Sequence, residues 1–194
     1  MSNIGSAHCG DDGTDMFGFW LYILTDCVLF AAIFAAYGVL CRNTYGGPSI
    51  GQLVNLPYVF GETMVLLGSS FTYGMAILAS YRHKIIPVMV FLVATLVLGG
   101  IFVEMELHEF YELCQHGHTW HVSAALSAFF TLVGTHGLHV SIGLIWMLLL
   151  LVQLFTYGLN HTMLRRLNYL AMFWAFLDIV WIFVFTIVYL VGAL

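Results

Sequence analysis

Charged residues are scarce in this chain of 194 residues. Only 8% of the residues are charged, 61% are hydrophobic, and the mean hydropathy is +0.96. Soluble domains carry about 25% charged residues, so the composition excludes a water-soluble monomer. The five lysines and arginines form no cluster, so the sequence does not indicate a nucleic-acid partner or a basic helix on a membrane surface.

Proline and cysteine are also scarce. The chain has three prolines, and none interrupts a long apolar run; Pro57 and Pro87 lie at the starts of such runs, where a missing N–H costs little. The cysteines show no CxxC or other metal-site spacing, which gives no support to a thiolate metal centre. They are Cys9, Cys27, Cys41 and Cys114.

Long apolar runs dominate what is present. They fall at about 17–40, 57–80, 86–107, 122–156 and 169–191. Because a bilayer core about 30 Å thick needs roughly 20 apolar residues per helix, residues 1–194 are predicted to form one all-α membrane domain of five transmembrane helices. The fourth run would reach about 51 Å at 1.5 Å per residue, so its helix must tilt or project from the membrane.

The acidic N-terminus lacks the basic region of a signal peptide, so the first run is predicted to be a retained helix. Orientation follows from the basic residues near the ends of the runs. Four of them, Arg82, Lys84, Arg165 and Arg166, belong to one face, and only Arg42 belongs to the other. The excess predicts a cytoplasmic N-terminus and a periplasmic C-terminus.

Acidic residues inside the runs are candidate functional groups, because an ionisable group in hydrocarbon is costly. At 1.5 Å per residue, Asp26 and Asp178 lie about 4 Å and about 3 Å from the midpoints of their runs. Glu62 and Glu104 lie about 10 Å from theirs, towards the periplasmic side. No Lys or Arg lies inside a run, which favours neutral aspartic acids. Each aspartate is either a proton-handling or inhibitor-reactive carboxyl or a member of an interhelical hydrogen bond.

The fourth run carries the segment 134–139, GTHGLH, in which His136 and His139 share one helix face. A heme held by two histidines needs them on facing helices, and a copper or zinc site needs about three ligands. No other run has a histidine at mid-membrane depth. The sequence therefore predicts no complete heme or metal site, and it predicts that both rings form interhelical hydrogen bonds as neutral histidines.

The third connection, predicted to face the periplasm, is rich in potential metal ligands. They are His108, Glu109, Glu112, Cys114, His116, His118 and His121. Their spacing matches no specific metal site, so solvated side chains are the preferred interpretation of this stretch.

Four segments carry a family resemblance that spans the chain from Phe17 to Leu194. They read FGFWLYILTDCVLF at 17–30, LPYVFGET at 56–63, SAFFTLVGTHGLHV at 127–140 and DIVW at 178–181. Together they resemble subunit III of heme-copper oxidases, and GTHGLHV is the most specific of these motifs. The chain has five helices rather than seven, and Asp26–Cys27 stands where cytochrome c oxidase relatives usually have Glu and an apolar residue. Both features resemble the version in bo-type ubiquinol oxidases.

The resemblance implies a bacterial inner-membrane subunit without an active site or cofactor of its own. Hemes and copper are expected in subunit I, and the expected partners are subunits I, II and IV, with phospholipid and ubiquinone bound in the complex. The complex would oxidise quinol, reduce oxygen to water and pump protons, and this subunit would support assembly, stability and lipid binding.

Two residues match functional positions of the family, and one departs from it. Asp26 matches the carbodiimide-reactive intramembrane carboxyl, and Glu109 matches a Glu at the end of the third helix. Ala175 follows Trp174 where the family usually has His, so no role of that His carries over to this chain.

Three other readings remain. A cytochrome c oxidase subunit III shares the same motifs. An independent heme cytochrome would need a second mid-membrane His on another helix. A small proton-coupled transporter would more often show broken helices or inverted repeats, and neither is visible.

Overall fold

The computed structural model describes residues 8–41, 56–115 and 124–190, which form five long helices. They are α1 (His8–Leu40), α2 (Leu56–Tyr81), α3 (Ile85–Gln115), α4 (Ala124–Tyr157) and α5 (His161–Val184), and α5 continues into a π-helical turn (Phe185–Leu190). All five are long and apolar enough to cross a membrane. The prediction of an all-α membrane protein with five spanning helices is confirmed, and no strand occurs within the described ranges.

The helices extend beyond the apolar runs that predicted them. α1 begins at His8, α3 ends at Gln115 rather than at 107, and α5 begins at His161 rather than at 169. Hydropathy marks only the part of a helix that suits hydrocarbon, whereas backbone hydrogen bonding continues through polar residues at the membrane surface. α4 has 34 residues, close to the length predicted for the fourth run.

The longer α3 changes the place of the histidine-rich stretch. The sequence predicts a loop for the first part of this stretch, but the structure has a helix there. The last turns of α3 carry His108, Glu109, Glu112 and Cys114. The remaining histidines of that stretch, His116, His118 and His121, lie outside the described residues.

Two tight turns fix the pairing of the helices. α2 and α3 are joined by a turn in which His83 has φ 52°, and α4 and α5 are joined by a turn in which Gly158 has φ 69°. Positive φ costs glycine little, which suits Gly158 to its place. α4 packs against α3, α5 and α1, while α1 packs on α4 and less extensively on α5.

The centre of the bundle is organised around Trp174 of α5, which is buried with 2% of its surface exposed. Its indole lies between Gly99 of α3 and Gly143 of α4. A Cβ atom at Gly99 would lie 3.1 Å from the ring, and one at Gly143 would lie 3.2 Å from it. The indole N–H donates a hydrogen bond of 3.2 Å to Ser69 Oγ on α2. Trp174 therefore ties four helices together, because the two glycines let α3 and α4 approach it closely.

Candidate functional site

The mid-membrane carboxyl of α1 faces a histidine of α4. Asp26 Oδ1 lies 3.9 Å from His139 Nε2, and the two side chains are 10% and 14% exposed. The buried ring of Phe30 covers the pair, with its centroid 5.2 Å from that of His139. The second carboxylate oxygen of Asp26 is buried and has no hydrogen-bond partner within the described part of the chain.

The hydrogen bond on the other side of the His139 ring sets its tautomer. Nδ1 lies 2.7 Å from the carbonyl oxygen of Thr135. Because a carbonyl oxygen only accepts hydrogen bonds, Nδ1 carries a proton. The neutral ring therefore presents an unprotonated Nε2 to Asp26, and a protonated ring presents an N–H. At 3.9 Å the two atoms are too far apart for a direct hydrogen bond, and the pair can hold one proton either on Asp26 or on Nε2.

The absence of lysine and arginine from the apolar runs predicts no basic partner for Asp26, whereas the structure brings His139 to it. The contact between His139 and Asp26 depends on how α1 and α4 pack. The spacing of residues along the chain does not predict such a contact. His139 Nδ1 is bonded to Thr135 of the same helix, and the interhelical hydrogen bond expected of this histidine stays a prediction.

A second group of ionisable side chains lies nearer the end of the bundle where α3 meets α4. Glu62 of α2 is 0% exposed, and Glu106 and Glu109 of α3 are 2% and 8% exposed. We call these three residues, with Tyr189 of the π-helical turn, the acid pocket. The hydroxyl of Tyr189 donates a hydrogen bond of 3.0 Å to Glu109 Oε2. Glu62 and Glu109 both lie within electrostatic range of Glu106.

Glu106 was not among the residues singled out from the sequence, whereas Glu104 was. Glu104 is exposed on the other face of α3, and the structure does not bring it to the acid pocket. Glu106 lies on the buried face, and its carboxyl touches α4 at Gly137. A Cβ atom at Gly137 would lie 2.9 Å from Cδ of Glu106. The second glycine of the GTHGLHV motif thus gives the Glu106 carboxyl room against the α4 backbone.

His136 is 0% exposed. It contacts Trp181, as Tyr189 of the acid pocket does, and it contacts Phe30, as His139 does. Its ring packs on Trp181 at a centroid distance of 5.2 Å and on the edge of Phe102 at 6.0 Å. Neither ring nitrogen has a hydrogen-bond partner among the described residues. The interhelical hydrogen bond predicted for this histidine is therefore not formed with any residue that the structure describes.

Asp178, the other deep aspartate, joins α5 to α2. Ser70 Oγ donates a hydrogen bond to Asp178 Oδ2, as the interhelical interpretation of this residue expects. Thr63 of α2 accepts a 3.1 Å bond from Trp181 Nε1, and Tyr73 donates a 2.8 Å bond to the carbonyl oxygen of Leu167. These bonds make Asp178 part of a polar interface between two helices, where such bonds hold transmembrane helices together.

The structure does not gather metal ligands on the described helices. No group of three His, Cys, Asp or Glu side chains there has an arrangement that could hold a metal ion. His108 and Glu112 approach to 3.6 Å, but their side chains are 57% and 65% exposed. This arrangement is typical of a solvated pair at a helix end.

Comparison with known proteins relates the chain to respiratory oxidases. Residues 9–193 match the family model described as cytochrome c oxidase subunit III. The chain is 52% identical to cytochrome bo(3) ubiquinol oxidase subunit 3 of Pseudomonas aeruginosa over 188 residues, 96% of this chain and 90% of that protein. It is 48% identical to the protein of the same name from Pseudomonas putida over 91% of this chain and 86% of that one.

A relative of another name shares the same ancestry at lower identity. Cytochrome c oxidase subunit 3 of a Bacillus species is 42% identical over 90% of this chain and 84% of that protein. The family match covers almost the whole chain, and these relatives align with most of its length. The chain belongs to the cytochrome c oxidase subunit III family.

Proposed function

We propose that this chain is the third subunit of a bacterial bo-type ubiquinol oxidase. The observation that carries the proposal is the 52% identity, over 96% of the chain, to a protein named as that subunit. The cytochrome c oxidase alternative rests on a relative at 42% and is the less favoured of the two. The complex oxidises quinol, reduces oxygen to water and pumps protons across the inner membrane.

The part played by this chain within the complex is structural. Hemes and copper belong to subunit I, and ubiquinone is bound elsewhere in the complex, while this subunit supports assembly and stability beside subunits I, II and IV. The outer face of α1 suits such contacts, because it exposes large apolar side chains to lipid or to a neighbouring subunit. Examples are Phe17, Trp20, Leu24, Val28 and Val39.

Affinity purification through a tag on this chain tests the proposal. From mild detergent we expect a complex that contains heme and oxidises ubiquinol, and mass spectrometry should identify the heme-bearing subunit. After the partner chains are removed, the isolated chain should show no Soret band and bind no stoichiometric copper. A heme spectrum that stayed with the isolated chain would contradict the proposal, and so would purification with a cytochrome c-oxidising complex only.

Orientation in the membrane is a separate prediction. The four basic residues at the α2–α3 turn and at the start of α5 predict that these ends lie in the cytoplasm, with the N-terminus on the same side. Alkaline phosphatase fused after Leu194 should be active, and green fluorescent protein at the same place should be dark. Fluorescence without phosphatase activity would reverse the topology.

A further inference from the structure

We propose that Asp26 exchanges its proton with the aqueous phase at the α3–α4 end of the bundle, through the acid pocket and the two histidines of α4. The proposal assigns a function to Glu106, Glu109 and His136 that does not depend on which oxidase the chain serves. Its structural basis is a row of buried ionisable groups that leads from the end of α3 to the centre of the membrane.

The outer end of this row lies at the last turns of α3. His108 and Glu112 are largely exposed there, at 57% and 65% of their side chains. Glu109 follows His108 in the sequence but faces the interior of the bundle. It is 8% exposed and hydrogen-bonded to Tyr189. Tyr189 is placed by the π-helical turn, a departure from regular helix that often occurs at functional sites. Glu109 is therefore the first buried group that a proton from this end would meet.

The acid pocket forms the middle of the row. The described lysines and arginines lie near the opposite end of the helices, at the α2–α3 turn and at the start of α5. Three buried carboxylates in electrostatic range of one another cannot all be charged when none of the described lysines and arginines lies beside them. The pocket therefore holds protons. Because neither oxygen of Glu62 nor Oε1 of Glu106 is bonded to a described residue, transfer between the carboxyls needs water between them.

The inner end joins the pocket to Asp26 along α4. The Glu106 carboxyl rests against Gly137, the residue next to His136, and His139 lies one turn further on. Both ring nitrogens of His136, both oxygens of Glu62 and Oε1 of Glu106 are buried without a partner within the described ranges. Buried polar atoms of this kind are usually hydrogen-bonded to internal water. Water molecules among them would complete the connection to His139 Nε2 and hence to Asp26.

Proton exchange along this row of groups leaves the number of protons on Asp26 unchanged. One hydron leaves the Asp26 carboxyl as another arrives, so exchange requires no oxidant, reductant or net charge movement. The titratable neighbours that bear on the inner end are Tyr22, one turn before Asp26 on α1, and His136 on α4. α5 adds the aromatic ring of Phe176 behind Phe30.

Hydron exchange in the purified complex tests this proposal. The infrared C=O band that is lost in Asp26→Asn reports the protonated Asp26 carboxyl, and its shift on transfer to D₂O reports exchange. In Glu106→Gln we expect this shift to be about tenfold slower than in the unmodified complex, equivalent to a barrier about 1.4 kcal/mol higher. Glu104→Gln is the matched control, because it makes the same change on the exposed face of α3, and its exchange should be unaltered.

Each outcome decides the question. Equal exchange rates in Glu106→Gln, Glu104→Gln and the unmodified complex would overturn the proposal, as would a spectrum in which Asp26→Asn removes no carboxylic acid band. If Glu106→Gln fails to assemble, His139→Gln tests the inner end with the same readout. Slow exchange in that variant supports the row, and unchanged exchange refutes it.

Discussion

Replacing Trp174 by alanine should destabilise the subunit by about 3–5 kcal/mol, the range for removing a large aromatic side chain from a packed core. The indole is 2% exposed, lies against Gly99 and Gly143, and donates a hydrogen bond to Ser69. Gly99 and Gly143 have no side chains that could fill the space, and a neighbour such as Leu144 could fill only part of it. A cavity would therefore remain at the meeting point of four helices.

Thermal release of this subunit from the purified complex measures the effect. Trp174→Ala should lower the release temperature strongly. The release temperature of Trp174→Phe should lie between those of Trp174→Ala and the unmodified complex. Phe71→Ala is the control, because Phe71 is an aromatic residue that is 71% exposed on α2, away from the outer face of α1. Similar losses in Trp174→Ala and Phe71→Ala would show that the central packing of Trp174 does not determine stability.

The helices could be predicted from the sequence, but their ends could not. Apolar runs mark the most apolar part of each helix, and each of the five runs coincides with one of the five long helices of the described chain. The apolar run predicts too early an end for α3, because half of residues 108–115 are polar or charged, which ends the run without breaking the backbone hydrogen bonds. No proline or glycine occurs in that stretch to stop the helix.

The buried ionisable groups were predicted by depth, and depth does not determine which way a side chain faces. Glu104 and Glu106 lie at similar depth, yet only Glu106 is buried. The buried residues of α3 recur every three or four positions, as Gly99, Phe102, Glu106 and Glu109 do. That periodicity was a usable signal for Glu106. The contact between Asp26 and His139 had no such signal, because it joins two helices that lie far apart in the chain.

A lysine in place of Asp26 should impair assembly, whereas an asparagine should not. The site is 7% exposed and close to the membrane centre, and His139 is its polar neighbour at 3.9 Å. A lysine near the centre of a spanning helix costs roughly 2.5–3.5 kcal/mol on insertion scales. It would also bring an ammonium group next to a histidine that would repel it once protonated. Asparagine keeps the shape of the carboxyl and can donate an N–H to His139 Nε2.

Subunit stoichiometry and quinol oxidation, measured on both purified complexes, separate the two effects. We expect Asp26→Asn to assemble fully and to turn over at close to the normal rate, because no group of side chains on the described helices could hold a metal ion for Asp26 to serve and proton exchange at Asp26 is not a step of quinol oxidation. Asp26→Lys should yield complex depleted of this subunit. Cys27→Lys is the matched control for the lysine, because Cys27 is exposed on the adjacent position of α1. It incurs the cost of membrane insertion without occupying the His139 site, so its loss of assembly should be smaller. Full assembly of Asp26→Asn with quinol oxidation abolished would instead make Asp26 a participant in the reaction, and the structural role proposed for this subunit would have to be abandoned.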